Sequence, residues 1–120
     1  MGGLGRRALV VDDNAIMRTI VGRILREAQF DIVEATNGAE ALRQARELSP
    51  DVALVDISLG TESGFDVARE INPYVGSVIL ISSDDHYADD DYAELIAGSP
   101  AVGFLSKATL SADAISRLVA

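Results

Sequence analysis

The sequence predicts an open α/β fold, a sheet of five parallel strands covered by helices on both faces. Three observations predict it. Five short apolar runs rich in β-branched residues recur along the chain, each followed by a helical pattern. The runs are continuously apolar rather than alternating, as strands buried on both faces require. Strict alternation of strand and helix through five units implies right-handed crossovers and a parallel sheet. The 120 residues supply one core with no length for a second module. Residues 1 to 6 therefore read as a flexible N-terminal segment and 7 to 120 as a single domain.

Taken in order, the first strand is RALVVD, residues 7 to 12. Ile16, Ile20 and Ile24, with Met17, Val21, Leu25 and Ala28 beside them, set a helical stripe over residues 14 to 28. FDIVEA, 30 to 35, is the second strand. The helix after it, 37 to 49, opens at Asn37 with Glu40 three residues on, a capping-box-like start, and stops before Pro50. DVALVD, 51 to 56, is the third strand, followed by a short helix in ESGFDVAREI bounded by Gly64 and Asn72-Pro73. SVILIS, 77 to 82, is the fourth strand. The fourth helix, 86 to 97, begins in the acidic run DDHYADDD and stops at Gly98; acids in a first turn suit the positive end of a helix. AVGFLS, 101 to 106, is the fifth strand, and Ser111 caps a last helix whose apolar face is Ala114, Ile115, Leu118 and Val119.

Composition removes several function classes. Nineteen acids against ten bases give a net charge of −9, which opposes binding to a phosphate backbone, so no direct nucleic-acid contact is expected. There are no cysteines, which excludes disulfides and thiolate metal sites. No apolar run approaches the length of a membrane span and the N-terminus has no signal-like core, so a cytoplasmic protein without membrane contact is expected. Lys107 is the only lysine in an arginine-rich chain.

The expected strand order is 2-1-3-4-5, a flavodoxin-like (βα)5 three-layer sandwich. Its active crevice lies outside the carboxyl ends of the strands, at the switch between strands one and three. Asp12 and Asp13 follow the first strand, Asp56 ends the third, Ser82 ends the fourth and Lys107 follows the fifth, all on one edge. Three carboxylates sharing a crevice must be partly protonated, kept apart or joined by a cation. Magnesium answers that need: it takes oxygen ligands, keeps several waters and sits between carboxylates and phosphate. With Mg2+ held by Asp12 and Asp13 beside it, Asp56 can attack a phosphoryl group, and Lys107 and the Ser82 hydroxyl each serve one phosphoryl oxygen. The product is an aspartyl phosphate.

These residues resemble the receiver domain of two-component response regulators. The likeness runs from Ala8 to Val119 and rests on VVDDNAIMR, ALVDISL, Gly64 eight residues beyond Asp56, VILISS and GFLSK, in that order. The resemblance implies that Asp13 ligates Mg2+ directly and Asp12 through water. It further implies that Asp56 is both ligand and phospho-acceptor and that the Ser58 backbone carbonyl completes the protein ligands. Ser82 and Phe104 would be the switch pair, the hydroxyl moving toward the phosphoryl group as the ring turns inward. The implied donor is a phosphohistidine on a sensor histidine kinase or phosphotransfer protein docking near Ala15, Arg18 and Thr19. The output would be a downstream protein partner or effector domain, with phosphorylation-dependent dimerisation among the outputs of the family. Such a domain catalyses only its own phosphorylation and dephosphorylation and is not a turnover enzyme.

Three departures from the family pattern stand out. Alanine follows Lys107 where proline, often cis, is usual; a cis bond before a non-proline costs about 3 to 4 kcal/mol, so a trans Lys107–Ala108 bond and a less rigid loop are predicted. Gly60 replaces a common proline, which predicts a looser loop after Asp56. Ser58 and Asp84, two residues beyond the acceptor and the hydroxyl, flank the path of an attacking water and are expected to set the phosphoryl lifetime.

The rival readings are weaker on particular residues. Asp12 and Asp13 could merely cap the first helix, but that leaves Asp56 and Lys107 unexplained. A phosphatase with an aspartate nucleophile wants a second acid where Ser58 stands. A flavodoxin-like cofactor protein wants Ser, Thr and Gly amides where Asp12 and Asp13 would repel a phosphate. A receiver-like interaction module working without phosphorylation is the remaining alternative. His86, the lone histidine, reads as a surface residue, Tyr74, Tyr87 and Tyr92 as cover for a sheet edge or a partner, and Phe104, apart from the switch, as core.

Overall fold

The computed structural model describes residues 6–83 and 90–119, for 90–92 the backbone alone. The elements are β1 (Arg6–Val11), α1 (Ala15–Glu27), β2 (Phe30–Ala35), α2 (Gly38–Leu48), β3 (Val52–Asp56), β4 (Ser58–Leu59), β5 (Glu62–Ser63), α3 (Gly64–Ile71), a 3-10 turn (Asn72–Tyr74), β6 (Ser77–Ser82), α4 (Asp90–Ala97), β7 (Gly103–Ser106) and α5 (Ala112–Val119). The main sheet is parallel in the order β2-β1-β3-β6-β7, the expected 2-1-3-4-5 once the small antiparallel hairpin β4–β5 is set apart. Strand β1 opens at Arg6, one residue before the predicted start, and ends at Val11, so that Asp12 stands just past it.

The continuous hydrophobicity of the strands is explained by two cores. Leu9 and Val11, Ala53 and Val55, and Val78 and Leu80 pack against Ala41 and Ala45 of α2 and Val67, Ala68 and Ile71 of α3. The alternate residues Ala8 and Val10, Val52 and Leu54, and Ile79 and Ile81 pack on the opposite face against Val21 and Leu25 of α1 and Ile115 of α5. Each fully buried Leu or Ile side chain contributes about 1.5–3 kcal/mol of burial free energy.

Helix starts follow local chemistry. Asn14 Oδ1 accepts the Met17 N–H at 3.1 Å, and Asn37 Oδ1 accepts the Glu40 N–H at 2.9 Å. Glu40 reaches back to the Thr36 N–H at 2.9 Å, and Ser111 Oγ accepts the Ala114 N–H at 3.0 Å. Because Asn14 caps α1, the two acids before it are released from that role.

Two features depart from expectation. The buried face of α1 is Val21, Gly22 and Leu25, while Ile16 is 72% and Ile20 44% exposed. At 3.6 residues per turn Ile16 lies about two and a half turns before Leu25, hence on the opposite side of the helix. The segment after Asp56 forms the β4–β5 hairpin, an element the sequence reading did not include: Gly60 takes φ +63° at the first position of a two-residue turn, as a glycine-led hairpin turn requires. Among the described residues there is no cis peptide bond, so Lys107–Ala108 is trans as predicted.

Candidate functional site at the carboxyl edge of the sheet

Strand register assembles the site. Val11 pairs with Val55 and Asp56 with Ile81, which brings the residue after β1 beside the last residue of β3, while Ser82 pairs with Ser106 one step further along β6 and β7. Lys107 follows at once, its N–H donating to the Ser82 carbonyl at 2.8 Å. Asp12, Asp13 and Asp56 each offer a carboxylate oxygen within 4.8 Å of the others. Asp12 and Asp56 are buried, whereas Asp13 faces out.

Each buried acid is held by two donors. Asp12 Oδ1 accepts the Asn14 N–H at 2.9 Å and its Oδ2 accepts Lys107 Nζ at 2.7 Å. Asp56 Oδ1 accepts the Ser58 N–H at 3.0 Å and its Oδ2 accepts Lys107 Nζ at 2.9 Å. The Lys107 side chain is only 6% exposed, so one ammonium bridges both buried carboxylates away from water. Arg18 braces the turn from behind: its guanidinium donates to the Asp12 carbonyl at 2.8 Å and pairs with Glu34 at 3.0 Å.

The charge is unbalanced. Three carboxylates and one ammonium leave two negative charges at the strand edge. Burial holds the Asp56 carboxyl above its ordinary 3.8, with the Asp12 charge adding least, against the pull of Lys107 and the Ser58 N–H. Burial alone would lower Lys107, but hydrogen bonds and charges from Asp12 and Asp56 outweigh it and hold the ammonium above 10.5. Both raised groups contribute stability that is full below their unfolded values and lost as pH rises through the folded ones. For Asp56 that loss begins in the acid range, so at neutral pH its ionised form is a cost that a further cation would offset. The donor set fits such an ion: hard carboxylate oxygens on two rigid strand ends, with a residual charge equal and opposite to that of a divalent cation.

The other predicted residues stand around this centre. Ser82 is 2% exposed at the end of β6. Ser58, exposed on β4, adjoins Asp56 through its N–H. Phe104, on β7, is partly buried against the core shared with α2 and α3. Asp84, His86 and Tyr87 lie outside the described residues, and so does the side chain of Tyr92; Tyr74 lies under the Arg46 guanidinium, 5.8 Å from its ring centre. Sequence reasoning missed Arg18 as a brace on Asp12 and Glu62 as a partner of α2. Neither contact has a local signal, although Gly60-Thr61 between short runs is a hairpin cue.

Gly64 fixes the far end of the loop after Asp56. A Cβ there would lie 2.1 Å from the Asp56 carbonyl oxygen and 2.6 Å from Ile57 Cα, and the Gly64 N–H donates to the Ile57 carbonyl at 2.7 Å. Gly64→Ala is expected to lower stability by about 1–3 kcal/mol, read as a lower urea midpoint at unchanged slope.

A doubly wound parallel sheet with a lysine-bridged acidic cluster at its carboxyl edge is the arrangement of a receiver-type signalling module. The response regulator receiver domain family matches residues 8–119, and this chain belongs to it. The chemotaxis protein CheY of Thermotoga maritima is 41% identical over 69 residues, 57% of this chain and 58% of that protein. The transcriptional regulatory protein PrrA of Mycobacterium tuberculosis is 34% identical over 115 residues, 95% of this chain and 48% of that protein. The chain thus spans about half the length of these relatives. Among solved structures, a response regulator protein from Burkholderia pseudomallei with a phosphorylated aspartic acid, calcium ion and citrate superposes with a TM-score of 0.83 at 22% identity, over 96% of this chain and 66% of that one. Among the described residues no helix is long and apolar enough to cross a membrane.

Proposed function

We propose that this chain is a phosphorylation-activated receiver in which Asp56 accepts a phosphoryl group from a phosphohistidine on a sensor histidine kinase or phosphotransfer protein. The observation that carries the reading is the unbalanced cluster of three carboxylates bridged by one buried lysine. Asp12, Asp13, Asp56 and the Ser58 carbonyl would hold the cation, which we assign as Mg2+; bound there, it neutralises charge on the phosphoryl oxygens.

In the transfer a carboxylate oxygen of Asp56 forms the new P–O bond while the P–N bond to the donor imidazole breaks, its electron pair staying on nitrogen. Lys107 pairs with one phosphoryl oxygen and the Ser82 hydroxyl donates to another. The product exchanges one carboxylate charge for a nearly dianionic phosphate, which draws Ser82 and Lys107 toward it. Phe104 then repacks, and the face made by α4, β7 and α5 changes its affinity for a downstream protein or effector. The donor docks beside Ala15, Arg18 and Thr19 at the start of α1. Incubation with acetyl phosphate and Mg2+ followed by intact mass tests this reading; a chain that gains no phosphoryl group works instead as an unphosphorylated module.

A further inference from the structure

Asp13 differs from its two neighbours. Lys107 bridges Asp12 and Asp56, while Asp13 is exposed and lies close to the turn of the hairpin: a Cβ on Gly60 would lie 3.4 Å from Asp13 Oδ2. The place of that hairpin therefore sets what backs Asp13 and where Ser58 stands beside Asp56.

One contact ties the hairpin to a rigid element outside it. Glu62 pairs with Leu59 across the hairpin, and its Oε2 accepts the Gly38 N–H at 3.0 Å in the first turn of α2. Asn37 already serves the Glu40 N–H, and Glu40 serves the Thr36 N–H, so Glu62 takes a donor that α2 cannot satisfy internally. A carboxylate suits that end of a helix, where the dipole favours negative charge. Gly38 is shaped for it: a Cβ there would lie 2.5 Å from Glu62 Oε1 and 3.0 Å from Val67 Cγ2. The missing side chain at 38 and the carboxylate at 62 form a matched pair, 24 residues apart in the chain.

We infer that Glu62 is a positioning residue for the cation site: anchored on the Gly38 N–H of α2, it holds the 58–63 hairpin where Gly60 backs Asp13 and Ser58 adjoins Asp56. The inference rests on reading Asp12, Asp13 and Asp56 as a cation site. Glu62 touches neither the ion nor the phosphoryl group; it acts through the hairpin.

The test is Mg2+ affinity by calorimetry on the full chain, with thermal midpoints of the metal-free proteins alongside. Glu62→Ala is expected to weaken Mg2+ binding by about tenfold, in the range that lost outer contacts cost a metal site. Glu62→Gln keeps an oxygen acceptor and should bind within about twofold of wild type. Gly38→Ala, whose methyl displaces the carboxylate, should behave like Glu62→Ala, and the double variant should be no weaker than either single one. A residue that merely supports the fold would shift the metal-free midpoint and leave the affinity unchanged. Wild-type affinity in Glu62→Ala overturns the inference while leaving the cation site intact; a wild-type chain that takes up no Mg2+ overturns the site reading and the inference together.

Discussion

Asp56→Ala is expected to gain no phosphoryl group from acetyl phosphate and Mg2+, under conditions in which the wild-type chain gains one per molecule by intact mass. Asp56 sits at the end of the central strand with one oxygen on the Ser58 N–H and the other on Lys107. Both oxygens are thus held in a fixed orientation at the strand end, with the carboxyl raised above its ordinary value by burial. Asp12 is completely buried and its two oxygens are held by Asn14 and Lys107, so it offers no substitute. In the proposed reaction, attack forms the P–O bond to Asp56 and releases acetate with the electron pair of the broken bond. A labelled Asp56→Ala variant would move the acceptor elsewhere.

Lys107→Met is expected to destabilise the metal-free chain by about 3–5 kcal/mol, because it leaves two buried carboxylates facing each other without a countercharge. Methionine retains much of the lysine's apolar length, so the loss reflects charge more than packing. Saturating Mg2+ should return a large part of that stability, since an ion at 100 times its dissociation constant adds about 2.7 kcal/mol. The magnesium-induced gain should be larger in the variant than in wild type, where the ammonium already occupies part of the charge deficit. Urea denaturation with and without Mg2+ reads both quantities. Equal gains in the two proteins would mean that Lys107 and the ion do not share these carboxylates.

The architecture was legible because it is written in continuous apolar strands: Val52 through Val55 are buried on both faces, and only a parallel sheet covered on both sides requires that. The acids and Lys107 were legible because each closes a strand on the same edge, so topology alone brings residues 12, 56 and 107 together. Contacts that depend on how helices and loops dock were not. Ile16 and Ile20 match a helical stripe in isolation, and only the rotation of α1 on the sheet turns them outward. The hairpin at Gly60 has no distinct signal, since glycine marks a free loop as readily as a tight turn. The Arg18 guanidinium reaches the Asp12 carbonyl while paired with Glu34, 16 residues on, and Glu62 reaches Gly38 across 24 residues, where no local periodicity points. The carbon-free space at Gly38 explains itself only once the carboxylate opposite it is seen.

Equilibrium dialysis against Mg2+ reaches the heart of the account, since everything at the strand edge follows from two uncompensated negative charges. One ion bound per wild-type chain at neutral pH, lost in both Asp13→Asn and Asp56→Asn, is the predicted result. No uptake by the wild-type chain, or undiminished uptake by both variants, would contradict it.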